Sequence, residues 1–205
     1  MSFFDKPAKA TRLKLVYAVW RQQRMEVLPG VAPVALLLAR TDDTVVGLTD
    51  VRGYPNGFVF VLRVRWGPVV DPYEEVRWPF PDWGTPDPLA GDSFPDELLR
   101  FGVQFADGRR VTNMDRYPFV PEDLPPDQPV LVQGGGMGSE GGRLGRGAFW
   151  DLELTVQPLP PPGPLAFVCA WPGRGIPESR VEIDAGPVLD AAAAARPFFA
   201  SGVRS

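Results

Sequence analysis

Histidine is absent from this chain of 205 residues, and cysteine occurs once, as Cys169. Histidine is the usual general base, the orienting member of hydrolytic triads and the commonest metal ligand. Ser-His-Asp and Cys-His catalysis are therefore excluded within one chain. His-bearing zinc and iron sites are excluded too, and one thiol cannot complete a Cys-rich zinc or iron–sulfur centre. A single cysteine also rules out an intrachain disulfide framework. Cys169 lies in the apolar run Leu165–Trp171, where a free thiol behaves as a small buried hydrophobe.

Long apolar runs are missing as well. Stretches such as Val31–Ala39 fall far short of the ~20 residues of a membrane-spanning helix. The run Leu13–Trp20 contains Lys14 and has no small-residue cleavage site after it, so it does not read as a signal peptide. A cytoplasmic location is the expectation. Clustered basic charge is scarce: 21 Lys and Arg stand against 25 Asp and Glu, a net charge of −4. That balance argues against a general nucleic-acid surface, which needs concentrated Lys and Arg.

What the chain does have is carboxylates, arginines and aromatics, with 44% hydrophobic residues, 13 Phe, 6 Trp and 4 Tyr. That is enough to bury a sizeable core. The 25 Pro and 22 Gly punctuate apolar runs of strand length, which indicates an all-β, mainly antiparallel chain with marked turns. A β-sandwich of about eight or nine strands is expected, with short helices near both ends. Residues 1–26 read as a tail with a short amphipathic segment. Leu13, Val16, Tyr17 and Trp20 recur there at helical spacing, although Leu13-Lys14-Leu15 also fits a strand. Residues 27–205 read as the single β-sandwich domain.

Within it, Val34–Ala39 suits a strand buried on both sides. Tyr54-Pro55-Asn56-Gly57 contains an Asn-Gly hairpin signal. Phe58, Phe60, Leu62, Val64 and Trp66 alternate onto one face, opposite Arg63 and Arg65. The expected core contains Phe60, Leu62, Val64, Phe101, Val103, Phe105, Leu152, Leu154, Phe167 and Cys169. A C-terminal helix is expected at about residues 187–196, stopped by Pro197.

Several stretches are similar to a set of bacterial proteins of high-GC composition to which no activity is assigned. These are Val27-Leu28-Pro29-Gly30-Val31, Leu38-Ala39-Arg40-Thr41-Asp42-Asp43, Tyr54-Pro55-Asn56-Gly57-Phe58, Val103-Gln104-Phe105-Ala106-Asp107-Gly108-Arg109 and the proline run Pro158–Leu165. The resemblance covers most of residues 27–196. It implies one folded β-rich unit and adds nothing about chemistry.

Four features invite a chemical reading. Gly136-Met137-Gly138-Ser139-Glu140-Gly141 matches G-x-G-x-x-G, yet a dinucleotide fingerprint must open a helix inside a βαβ unit. Here more glycines and a strand pattern follow, so residues 134–147 read as a flexible hairpin connection with no cofactor. Asp151 and Glu153 share a strand face and read as surface acids, since nothing selects a catalytic pair about 5–10 Å apart across a cleft. Arg63 and Arg65 read as a solvated sheet face paired with acids. The long insertion 67–96 is the best candidate. It concentrates acids and aromatics, and a connection normally needs about 4–6 residues. Tyr73, Glu74, Glu75, Trp78, Asp82 and Trp83 are its expected binding residues, for a protein partner or a glycan-like ligand. Aromatics supply contact area and acids supply polarity. A non-enzymatic binding or scaffold domain is thus the leading expectation. A carboxylate-dependent hydrolase and a self-assembling structural subunit are the alternatives. No metal site, cofactor or catalytic residue is expected.

Overall fold

The computed structural model describes residues 13–15, 25–68, 80, 94–114, 119–121, 127–139 and 147–199. Strand alternation puts a large apolar residue on the same side at every second position, and two such surfaces must close on each other to leave water. They do so here as two antiparallel sheets face to face.

The larger sheet is built on three long strands. These are β5 (Thr44–Tyr54), β6 (Gly57–Pro68) and β11 (Gly147–Gln157). β10 (Val130–Ser139) flanks β11 at one edge. At the other edge β3 (Gly30–Val31) and β4 (Leu36–Arg40) pair with β5 in succession. The smaller sheet runs in the order β13 (Ile176–Asp184), β12 (Pro164–Trp171), β7 (Arg100–Gln104) and β8 (Arg110–Thr112). Two further pairs stand outside these sheets: β1 (Leu13–Leu15) with β9 (Phe119–Pro121), and β2 (Val27–Leu28) with β14 (Arg196–Pro197).

The core lies between the sheets. Phe60 of β6 meets Phe101 of β7 and Phe167 of β12, each at a centroid separation of 5.6 Å. All ten expected core residues are buried in this one cluster. Cys169 is fully enclosed, and burial pushes the pKa of its thiol up to about 12. The outer face of β12 is covered too, because Val168 and Ala170 pack with Phe94, Met114 and Leu98.

α1 (Gly186–Ala193) lies against the edge made by β3 and β5. Gly30 and Gly53 stand opposite each other there. A Cβ on either would collide with the backbone of Ala191 or Ala192. Two glycines therefore let an alanine-rich helix sit directly on the sheet, with Val188 reaching the core.

Several expectations need correction. Leu13–Leu15 is a strand paired with residues 119–121, not part of a helix; its alternation finds a cross-chain partner for the backbone, which outweighs helical spacing. The C-terminal helix ends at Ala193 and Arg196–Pro197 is extended, because the residue before proline is pushed out of the helical region. Val34–Ala39 is not buried on both sides. Its strand β4 is an edge lane, and Leu37 is exposed. Residues 134–139 belong to β10 rather than to a loop, with a register shift between Gln133 and Gly136. Glycine weakens a strand but does not prevent its backbone from pairing. The hairpin at residue 55 is present, but its two loop residues are Pro55 and Asn56, since Tyr54 already faces Gly57. Among described residues, Asp50 is the one non-glycine at positive φ, and Gly57 is not among the positive-φ glycines. Gly57 is required by close approach instead: a Cβ there would strike the Val156 carbonyl.

Candidate functional site

The insertion departs where β6 ends and returns at Phe94, so both its stems lie at one end of the sandwich. That end is rich in indole. Trp66 of β6 and Trp150 of β11 stack with centroids 4.5 Å apart and planes within 11°. Trp171 of β12 meets Trp66 edge-on at 5.7 Å. Strand alternation places all three inward, and the cross-strand register brings them together. Arg174, at the end of the 3-10 turn Pro172–Arg174, lies 4.9 Å above the Trp66 ring and 5.9 Å from that of Trp171. This cation–π lid closes the end of the core. The Trp66 Nε1–H is buried and finds no hydrogen-bond partner among the described residues.

The returning stem is fastened to this frame at several points. Phe94 is buried against Val168 and Ala170. The Arg100 guanidinium donates to the Phe94 carbonyl at 3.1 Å and to Asp96 at 2.7 Å. Trp171 Nε1–H donates to the Glu97 carbonyl at 2.9 Å, and the Gly173 amide donates to the Asp96 carbonyl at 2.8 Å. Phe80, from the middle of the insertion, is buried in the main core. The Arg100–Asp96 pair is four residues apart and local in sequence, whereas the bonds from the Gly173 amide to the Asp96 carbonyl and from the Trp171 indole to the Glu97 carbonyl span more than seventy residues and carry no local signal. The stacked tryptophans could have been found by combining alternation with strand pairing.

Of the expected binding residues, Tyr73, Glu74, Glu75, Trp78, Asp82 and Trp83 all lie outside the described residues. The two insertion aromatics that are described, Phe80 and Phe94, act as packing.

The other chemical candidates resolve into structure. On the outward face of the larger sheet, Asp151 faces Arg63 across the β6–β11 ladder. Arg63 donates to Asp151 at 3.0 Å, to Asp50 at 2.7 Å and to the Thr49 hydroxyl at 2.7 Å. Arg65 pairs with Asp151 at 2.6 Å and stacks over Phe149 at 5.0 Å. Arg52 pairs with Glu153. Asp50 joins this set because it sits at the bulge between Thr49 and Arg52 with φ 56°; aspartate tolerates that region better than most residues. Hydrogen bonding from Arg63, then from Thr49, holds its carboxyl below the usual carboxylate range. Asp151 and Glu153 are thus partners of arginines, as a paired sheet face would have them.

Gly136 and Gly138 face Leu152 and Trp150 within an antiparallel ladder. Gly136 and Gly138 thus sit in strand rather than at the opening of a helix, where a pyrophosphate cradle is built. Among the described residues no group of three or more acidic or thiol side chains could hold a metal ion, and no helix is long and apolar enough to cross a membrane. No family model, curated protein or solved structure matches this chain.

Proposed function

We propose that this chain is a non-enzymatic binding or scaffold domain that presents the acidic and aromatic insertion 67–96 to a partner protein or a glycan-like ligand. One observation carries the reading. The insertion's returning stem is clamped onto a rigid sandwich by Phe94, by the Arg100 bonds to Asp96 and the Phe94 carbonyl, and by the Trp171–Glu97 bond. A recognition segment held on a rigid frame loses less entropy on binding than a free one. Tyr73, Trp78 and Trp83 would supply contact area, with Glu74, Glu75 and Asp82 setting polarity. The hydrolase reading gains no support from Asp151 and Glu153, which are ion-paired to Arg63, Arg65 and Arg52. A cytoplasmic setting agrees with the lone buried thiol of Cys169.

The test is the double variant Trp78→Ala/Trp83→Ala. Capture of partner proteins in a pull-down and retention on immobilised glycans should both be probed against wild type. Loss of binding with an unchanged thermal midpoint is the expected result. A drop of several kcal/mol in stability, as for emptied core positions, would make the two tryptophans packing and remove the site.

A further inference from the structure

We propose that Asn56 is a site of spontaneous covalent modification, in which the Gly57 amide nitrogen displaces the Asn56 side-chain amide as ammonia. The chain has two asparagines, Asn56 and Asn113, and one Asp-Gly pair, Asp107-Gly108. The fold treats the three positions differently. Asn113 donates from its side-chain amide to the Leu99 carbonyl at 2.7 Å and accepts from the Phe101 amide at 2.9 Å. Met114, which follows it, is buried. Asp107 has both carboxylate oxygens engaged, by the Arg109 amide at 3.1 Å and by the Arg109 Nε–H at 2.7 Å. The Gly108 amide, which would have to attack it, donates to the Phe105 carbonyl at 3.0 Å. Asn56 has none of these restraints. It is exposed, in the loop of two residues between β5 and β6. Its side chain finds no hydrogen-bond partner among the described residues. Gly57 belongs to the last pair of the ladder, opposite Tyr54, and such ends open most readily. It also has no Cβ to screen its nitrogen from the Asn56 side chain.

The step needs no reagent but water. A bond forms between the Gly57 nitrogen and the Asn56 Cγ, the Cγ–Nδ2 bond breaks, and the Gly57 amide proton leaves with ammonia. Water then opens the cyclic imide. Attack at Cγ leaves an ordinary aspartate. Attack at the backbone carbonyl carbon leaves an isoaspartate, whose main chain runs through the side-chain carbons and is longer by one carbon. The fold separates the two products. An aspartate at an exposed loop position changes charge alone. An isoaspartate lengthens the loop that sets the β5–β6 register. Gly57 has no slack to absorb the added atom. It is pressed against β11, where even a Cβ would strike the Val156 carbonyl and crowd the Gln157 side chain. Phe58, the next residue, is fully buried in the core. The longer loop is therefore accommodated by opening the end of the hairpin, and the isoaspartyl form loses stability that the aspartyl form keeps.

Incubation of the full chain at neutral to mildly alkaline pH, followed by peptide mapping with mass spectrometry, reads the proposal directly. Asn56 should convert to aspartate and isoaspartate, the latter also scored by enzymatic methylation of isoaspartyl carboxyls. The rate should rise with pH, because the Gly57 nitrogen attacks after losing its proton. Asn113 and Asp107 should stay unchanged in the folded chain. Asn56→Gln should slow the release of ammonia on the order of tenfold or more, since the longer side chain closes a less favourably oriented ring. The isoaspartyl form, separated from the aspartyl form by chromatography, should show a lower denaturation midpoint, whereas Asn56→Asp should match wild type. Two results overturn the modification site: Asn56 that converts in denaturant but stays intact in the folded chain, or Asn113 that converts as fast as Asn56. An isoaspartyl form as stable as wild type overturns its effect on the hairpin.

Discussion

Cys169, Phe167 and Asp50 show what single positions contribute. Burial alone raises the Cys169 thiol to about 12, so at neutral pH it carries almost no thiolate, the reactive form. A thiol reagent should label it only as fast as the chain unfolds; rapid native labelling would mean the strand opens. Phe167 is packed edge-on against Phe60 at the centre of the core. Phe167→Ala should cost on the order of 3–5 kcal/mol in chemical denaturation, and a change within ~0.5 kcal/mol would contradict its place there. Asp50 governs an acid effect. Its folded carboxyl titrates below its ordinary value, so the stability it adds is complete above the unfolded value, near 4. That stability is lost as pH falls below 4 through the folded value. Asp50→Asn should therefore flatten the fall in stability below pH ~4 while changing little of its pH dependence near neutrality. An unchanged acid limb in the variant would show that the Arg63 contact contributes nothing.

Elements here are placed by what they lack as much as by what they carry. α1 rests on Gly30 and Gly53 because neither has a Cβ to hold it off. Gly53→Ala should push the helix away and cost roughly 1–3 kcal/mol, the usual scale of overpacking. An unchanged denaturation midpoint would show that the helix can shift freely. The glycines of β10 work differently. They pair through their backbone opposite Leu152 and Trp150, and sequence patterning based on side chains misses them. Length changes confined to residues 141–146, between β10 and β11, should alter stability by less than about 1 kcal/mol, since loop-closure entropy varies slowly with length.

At the scale of the molecule, two sheets share one core. The cluster holding Phe60 and Leu62 also holds Phe101 and Phe167, so neither sheet can lose the other without exposing its inner face. Unfolding should accordingly be one cooperative step. Tryptophan fluorescence, to which the buried Trp66, Trp150 and Trp171 contribute beside Trp20, Trp78 and Trp83, and far-UV circular dichroism should show coincident transitions. Separate midpoints would instead indicate two independently folding units.

The all-β class, the inward faces of the long strands and the buried thiol were all legible from the chain. Alternation and turn chemistry are local, and local signals survive in sequence. The absence of histidine likewise excluded whole classes of chemistry on residue counts alone. Pairing was different. Leu13–Leu15 finds residues 119–121, Arg196–Pro197 finds Val27–Leu28, and Arg174 closes over Trp66, each across more than a hundred residues of chain. Such contacts are selected by the free energy of the whole packed state, which no window of neighbouring residues contains.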